Sequence, residues 1–116
     1  MLNIDPNIKI YIATGHTDMR KGAHQLSIVA GSLISKQLEC GALFVFRGRS
    51  ADRIKILWWD GQGFCLYYKC LDRGKFPWPK TTEEKSLCIT KGQLAMLIEG
   101  IDWRTPAWSN MPQYVG

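Results

Sequence analysis

No stretch of this 116-residue chain approaches the roughly 20 consecutive apolar residues that cross a bilayer. Its opening, MLNIDPNIKI, lacks both the pattern of a secretory signal and the arginine-rich character of a transit peptide. The expected location is therefore a reducing cytoplasm, where disulfides are not expected. Cysteine and histidine are scarce: Cys40, Cys65, Cys70, Cys88, His16 and His24. No two cysteines stand as C-x-x-C, so zinc knuckles and ribbons are excluded and no metal is assigned. The cysteines read as small buried or half-buried hydrophobes. Cys65 and Cys70, five apart, would face opposite sides of a strand.

Motifs for catalysis are missing too. There is no Walker loop, dinucleotide fingerprint or G-x-S-x-G elbow. Acidic residues are not grouped for Mg²⁺. Asp18 has the spacing of a helix cap, Asp52 lies among arginines, and Asp60 opens a tight turn. No catalytic residue or cofactor follows, and the chain reads as non-enzymatic. With no repeats, low-complexity tracts or linkers, residues 1–104 are expected to form a single domain. Residues 105–116, with two prolines, are expected to form a loose arm.

What is present is basic charge in one place. The net charge is +5, from 15 basic and 10 acidic residues. Residues 47–80 hold eight bases and three acids, so the excess lies there and the remainder is neutral. A local basic block points to a polyanion. Arg47, Arg49 and Arg53 fall in one connection between strands, and guanidinium matches phosphate oxygens in pairs. Lys55 and Lys69 on neighbouring strands extend the stripe, and Arg20 and Lys21 are secondary candidates. Engagement of about four or five phosphates predicts a slope of log affinity against log salt near −4. The segment Thr14–Gly15–His16–Thr17 reads as an ordinary capped loop in preference to an anion site.

Secondary structure follows from periodicity. Ile8–Ile12 alternates as a strand. Apolar positions from Met19 to Ile34 recur every three or four residues, predicting an amphipathic helix of about four turns capped by Thr17 or Asp18. Ala42–Arg47, Ile54–Trp59 and Phe64–Lys69 are rich in aromatic and β-branched residues and predict a three-stranded antiparallel meander, with Asp60–Gly63 as a hairpin turn. Ser86–Ile89 is a short strand, and Thr90–Gln93 is a capping box opening a second helix. The expected fold is α+β: a small antiparallel sheet, meander plus short flanking strands, with two helices packed on it. Trp58, Trp59, Tyr67, Tyr68 and Trp78 are candidates for a surface that stacks unpaired bases or holds a partner. Burial within the fold, with Phe76–Pro79 covering one face, is the preferred reading of these rings.

Four segments carry a family resemblance: Thr17–Gly22, Leu43–Arg49, Asp52–Gly63 and Gln93–Trp103. Across residues 8–104 the chain resembles the small TnpB-type (Orf-two-like) accessory proteins of the IS-66 family of bacterial insertion sequences. The resemblance implies a protein carried beside a separate DDE-type transposase and needed for efficient transposition. It supplies no catalytic residues. The expected function is that of a non-catalytic accessory protein. It would bind DNA, at element ends or non-specifically, through Arg47, Arg49, Arg53, Lys55 and Lys69, and assist the transposase of the same element in the nucleoid. The alternative is an adaptor that contacts the transposase or another accessory chain and never DNA.

Overall fold

The computed structural model describes residues 7–33, 42–80 and 83–104. Among these residues, five strands and two helices follow one another as β1 (Ile10–His16), α1 (Ala23–Leu33), β2 (Leu43–Arg47), β3 (Arg53–Trp59), β4 (Phe64–Cys70), β5 (Ser86–Ile89) and α2 (Lys91–Ile98). The strands form one sheet in the order β4-β3-β2-β1-β5. The β2–β3–β4 meander is antiparallel, as its short turns require. At the tip between β3 and β4, Asp60 Oδ1 accepts from the amides of Gln62 and Gly63, and Gly61 takes the positive φ of 101°.

The sheet as a whole is mixed, not antiparallel. β1 runs parallel to β2, pairing Ile10 with Leu43 and Ile12 with Val45, while β5 is antiparallel to β1. A parallel pair needs a crossover, and α1 lies in that crossover. The α+β class stands, with one parallel pair at its centre.

The helices lie on opposite faces. On one face, Leu26 and Ala30 of α1 are buried with Ala13, Phe44, Phe46 and Leu57. On the other, Leu94 and Leu97 of α2 join Ile12, Val45, Ile56, Trp58, Phe76, Trp78 and Trp103. This explains why β2 and β3 read as continuous apolar runs: strands covered on both sides have no solvent face to mark with polar residues. Both Phe76 and Trp78 are core residues, so the Phe76–Pro79 segment does cover the α2 face. Trp78 Nε1 donates to Ala13 O at 2.8 Å, and Trp103 Nε1 donates to Pro77 O at 2.9 Å.

Helix α1 starts later than its periodicity predicts. Asp18 does not cap it; the carboxylate accepts from the amide and guanidinium of Arg20. The first turn is set by Gly22, whose carbonyl accepts from Leu26 N at 2.9 Å. Helix α2 opens with both halves of the capping box: Gln93 N donates to Thr90 Oγ1, and Thr90 N to Gln93 Oε1. Ile34, Cys40 and the 105–116 arm lie outside the described residues. Cys65 is half-buried, but Cys70 and Cys88 are exposed, contrary to expectation; both lie on edge strands, where one face is uncovered.

Candidate nucleic-acid interface

The C-terminal ends of β1, β2 and β4 and the N-terminal end of β3 share one end of the sheet. Two loops leave β1 and β2 there, at 17–22 and 48–52. The ladder between β1 and β2 is broken between Ile12 and His16, a local irregularity that re-aims the strand end. It frees Ala13 O for Trp78 and sets His16 opposite Arg47, with Thr17 N donating to Arg47 O at 2.8 Å. The second loop is held by Gly48 N to Arg53 O, Ala51 N to Gly48 O and Phe76 N to Ala51 O. Ala51 takes φ = 60°, a left-handed conformation that costs an alanine roughly 1–2 kcal/mol. That cost is borne by a loop whose shape the surrounding bonds dictate. Gly48 is where the loops close on each other: a Cβ there would meet Met19 Cγ at 2.9 Å.

Between the loops lies an open cleft of about 660 Å³, lined by His16, Thr17, Asp18, Met19, Arg20, Gly48, Arg49, Ser50, Asp52, Arg53 and Tyr68. Three candidate arginines therefore meet at one place. Arg20 forms an exposed ion pair with Asp18 at 2.8 Å, which holds that carboxyl well below the usual carboxylate range. Arg53 reaches Tyr68 Oη at 3.4 Å, and the tyrosine is the largest cause of its raised pKa. Arg49 is exposed. The cleft is a mixed site, with Asp18 and Asp52 beside the arginines.

Of the remaining candidates, Lys21 belongs to the 17–22 loop but does not line the cleft, and the others lie elsewhere. Lys55 is buried on the α1 face, its ammonium donating to Lys21 O at 2.8 Å. Lys69 is on the α2 face and donates to Ile98 O at 2.7 Å. There it satisfies a carbonyl in the last turn of α2, where cations are favoured. Arg47 points to the Trp78 side, 6.0 Å from the ring centroid. Its Nε is buried without a partner among the described residues, and burial lowers its pKa. The rings divide likewise: Trp58, Tyr67 and Trp78 belong to the α2-side core or its margin, whereas Trp59 and Tyr68 are exposed on the other face. His16 and Thr17, in the segment that the sequence reads as an ordinary capped loop and not an anion site, line the cleft, as does Ser50, which the sequence does not single out. The loop after β1 was the available signal, since it precedes a helix and follows a strand end.

Two relatives from Sinorhizobium fredii (strain NBRC 101917 / NGR234) are similar to this chain. One, described as uncharacterized protein y4hO, is 46% identical over 116 residues, covering all of both chains. The other, uncharacterized protein y4jC, is 33% identical over 103 residues, covering 89% of this chain and 87% of its own. No solved structure matches significantly. The family model described as IS66 Orf2 like protein matches residues 8–108, which takes in both cleft loops and both cores. The chain belongs to the IS66 Orf2-like family of insertion-sequence proteins.

Proposed function

We propose that this protein is a non-catalytic accessory factor for transposition that docks on DNA through the cleft between the 17–22 and 48–52 loops and so assists the transposase of its element. Family membership supports the process. The docking mode is supported by the convergence of Arg20 from one loop and of Arg49 and Arg53 from another on one open cleft. Guanidinium groups suit phosphate oxygens, and a loop already fixed by three backbone hydrogen bonds loses little entropy on contact. Asp18 and Asp52 temper the potential, which fits modest, salt-sensitive binding without strong base readout.

The number of available cations sets the expected strength. The Lys55 and Lys69 ammonium groups are each committed to a backbone carbonyl, so about three phosphates are engaged and the salt slope is near −3. The test is a salt titration of binding to element-end and random DNA. A slope near −3 on both supports the reading. Absence of DNA binding at low salt, together with capture of the transposase that survives high salt, replaces it with the protein-adaptor role.

A further inference from the structure

The two edges of the sheet are built differently. Natural edge strands are shielded by shortness, proline, bulges or charge. β5 is four residues long and follows directly on Lys85. β4 has seven residues, no proline, and an unbroken register with β3 from Arg53–Cys70 to Trp59–Phe64. Its single charge, Lys69, is turned to the α2 face and bound to Ile98 O. No described strand pairs with the outer side of β4.

Ladder geometry identifies the unpaired groups. Asp60 N donates to Gly63 O, and Leu71 N donates to Asp52 O. These mark hydrogen-bonded pairs at both ends of the β3–β4 ladder. Such pairs alternate with non-bonded ones in an antiparallel ladder. Cys65, Tyr67 and Lys69 therefore bond to β3, while the N–H and C=O of Phe64, Leu66, Tyr68 and Cys70 point to the open edge. Three of these same residues form an uncovered apolar strip: Phe64 is 38% exposed, Leu66 36% and Tyr68 47%. Trp59 adjoins the strip, edge-on to Phe64 with ring centroids 5.0 Å apart.

We propose that β4 pairs antiparallel with β4 of a second copy of this chain, about a twofold axis at Tyr67, joining two sheets into one. A twofold interface must be complementary to itself, and this edge is so in three respects. In the register of full overlap, Phe64 faces Cys70 and Leu66 faces Tyr68, so the outward-pointing residues meet one another and about eight hydrogen bonds form. On the exposed face the Leu66–Tyr68 pair occurs twice, and on the other Lys69 faces Cys65, so no like charges oppose. Beyond the strand ends, the Asp60–Gly63 turn of one copy comes beside the Leu71–Gly74 turn of the other. The first turn carries one charge, exposed Asp60, and the second carries exposed Asp72 and Arg73, which cancel, so the two turns meet without net repulsion. An unrelated strand would match only the backbone. Because β5 is not an equivalent edge, assembly closes at two copies.

Sedimentation equilibrium on the full chain, without DNA, tests this independently of the proposed DNA contact. The wild type is expected to be dimeric in the micromolar range. Leu66→Pro removes an outward N–H without touching the β3 ladder, and Leu66→Lys places a charge on the exposed strip. Each is expected to raise the dissociation constant at least tenfold with an unchanged circular dichroism spectrum, and the lysine variant stands if the proline variant does not fold. Under mild oxidation, Phe64→Cys is expected to form a disulfide-linked dimer through Cys70 of the second copy, lost on adding Cys70→Ser. A wild type that stays monomeric throughout that range overturns the proposal. So does a dimer indifferent to both Leu66 variants, or a β4 edge that captures transposase but not itself.

Discussion

The ammonium of Lys55 lies 4.8 Å over the ring of Tyr68 while it donates to the carbonyl of Lys21. One buried cation thus joins β3, β4 and the segment leading into α1. Its role is structural, and Lys55→Ala strands the Lys21 carbonyl and removes the ring contact. A loss of about 1–3 kcal/mol is expected in urea denaturation, with no change in the salt dependence of DNA binding at temperatures where the variant is folded.

Arginines at the cleft are expected to behave oppositely. Arg49→Ala and Arg53→Ala each reduce the magnitude of the salt slope by about one, because each removes one phosphate contact. Lys69→Ala, on the opposite face, leaves the slope unchanged. Filter binding or fluorescence anisotropy across a salt series measures all three. Equal effects from Lys69 and Arg49 would rule out the cleft as the contact.

Ala51 offers a gain in stability. Its φ of 60° is costly for alanine and free for glycine. Ala51→Gly is expected to stabilise the fold by about 0.5–1 kcal/mol, part of the relief being offset by the greater freedom of glycine in the unfolded chain. Thermal denaturation reports the shift; a lower midpoint would show that the loop does not impose this conformation.

Trp78 is a third lever. Trp78→Phe keeps a ring in the core but leaves Ala13 O without its indole donor. The expected cost is about 1–3 kcal/mol, read as a lower urea midpoint at constant m-value.

Acid should loosen the end of the described chain. Arg104 holds the Asp102 carboxyl at about 2, first through the side-chain hydrogen bond, and Arg104 also donates to Trp78 O at 3.0 Å. A carboxyl depressed in the folded state stabilises that state above its unfolded pKa near 4, and the contribution disappears as pH falls through about 2. Asp102→Asn is therefore expected to flatten the stability profile between pH 4 and pH 2. Unfolding curves at successive pH values would show whether it does.

Much of the fold was legible in the residues. The aromatic and β-branched runs marked β2, β3 and β4, and Thr90 with Gln93 marked the start of α2, because those signals are local. The parallel pairing of β1 with β2 was not, since partner and direction are decided by contacts remote in sequence. The start of α1 was misplaced because Asp18 had two plausible uses, and the neighbouring Arg20 took the carboxylate. For the site, the basic stretch was visible, but the faces of its side chains were not. Arg53, Lys55 and Lys69 read alike as letters, yet strand alternation and pairing leave one at the cleft, bury the second and send the third to a helix end.

The β1–β5 pairing has a consequence during synthesis. β1 precedes β5 by about seventy residues, so on the ribosome it keeps one side of its backbone open until residues 86–89 are made. Emerging chains therefore expose an apolar strand over that interval, and a polypeptide interrupted before Ser86 has neither that partner nor α2 to shield it. Prematurely terminated products are thus natural substrates for chaperones and proteases rather than smaller working versions of the protein.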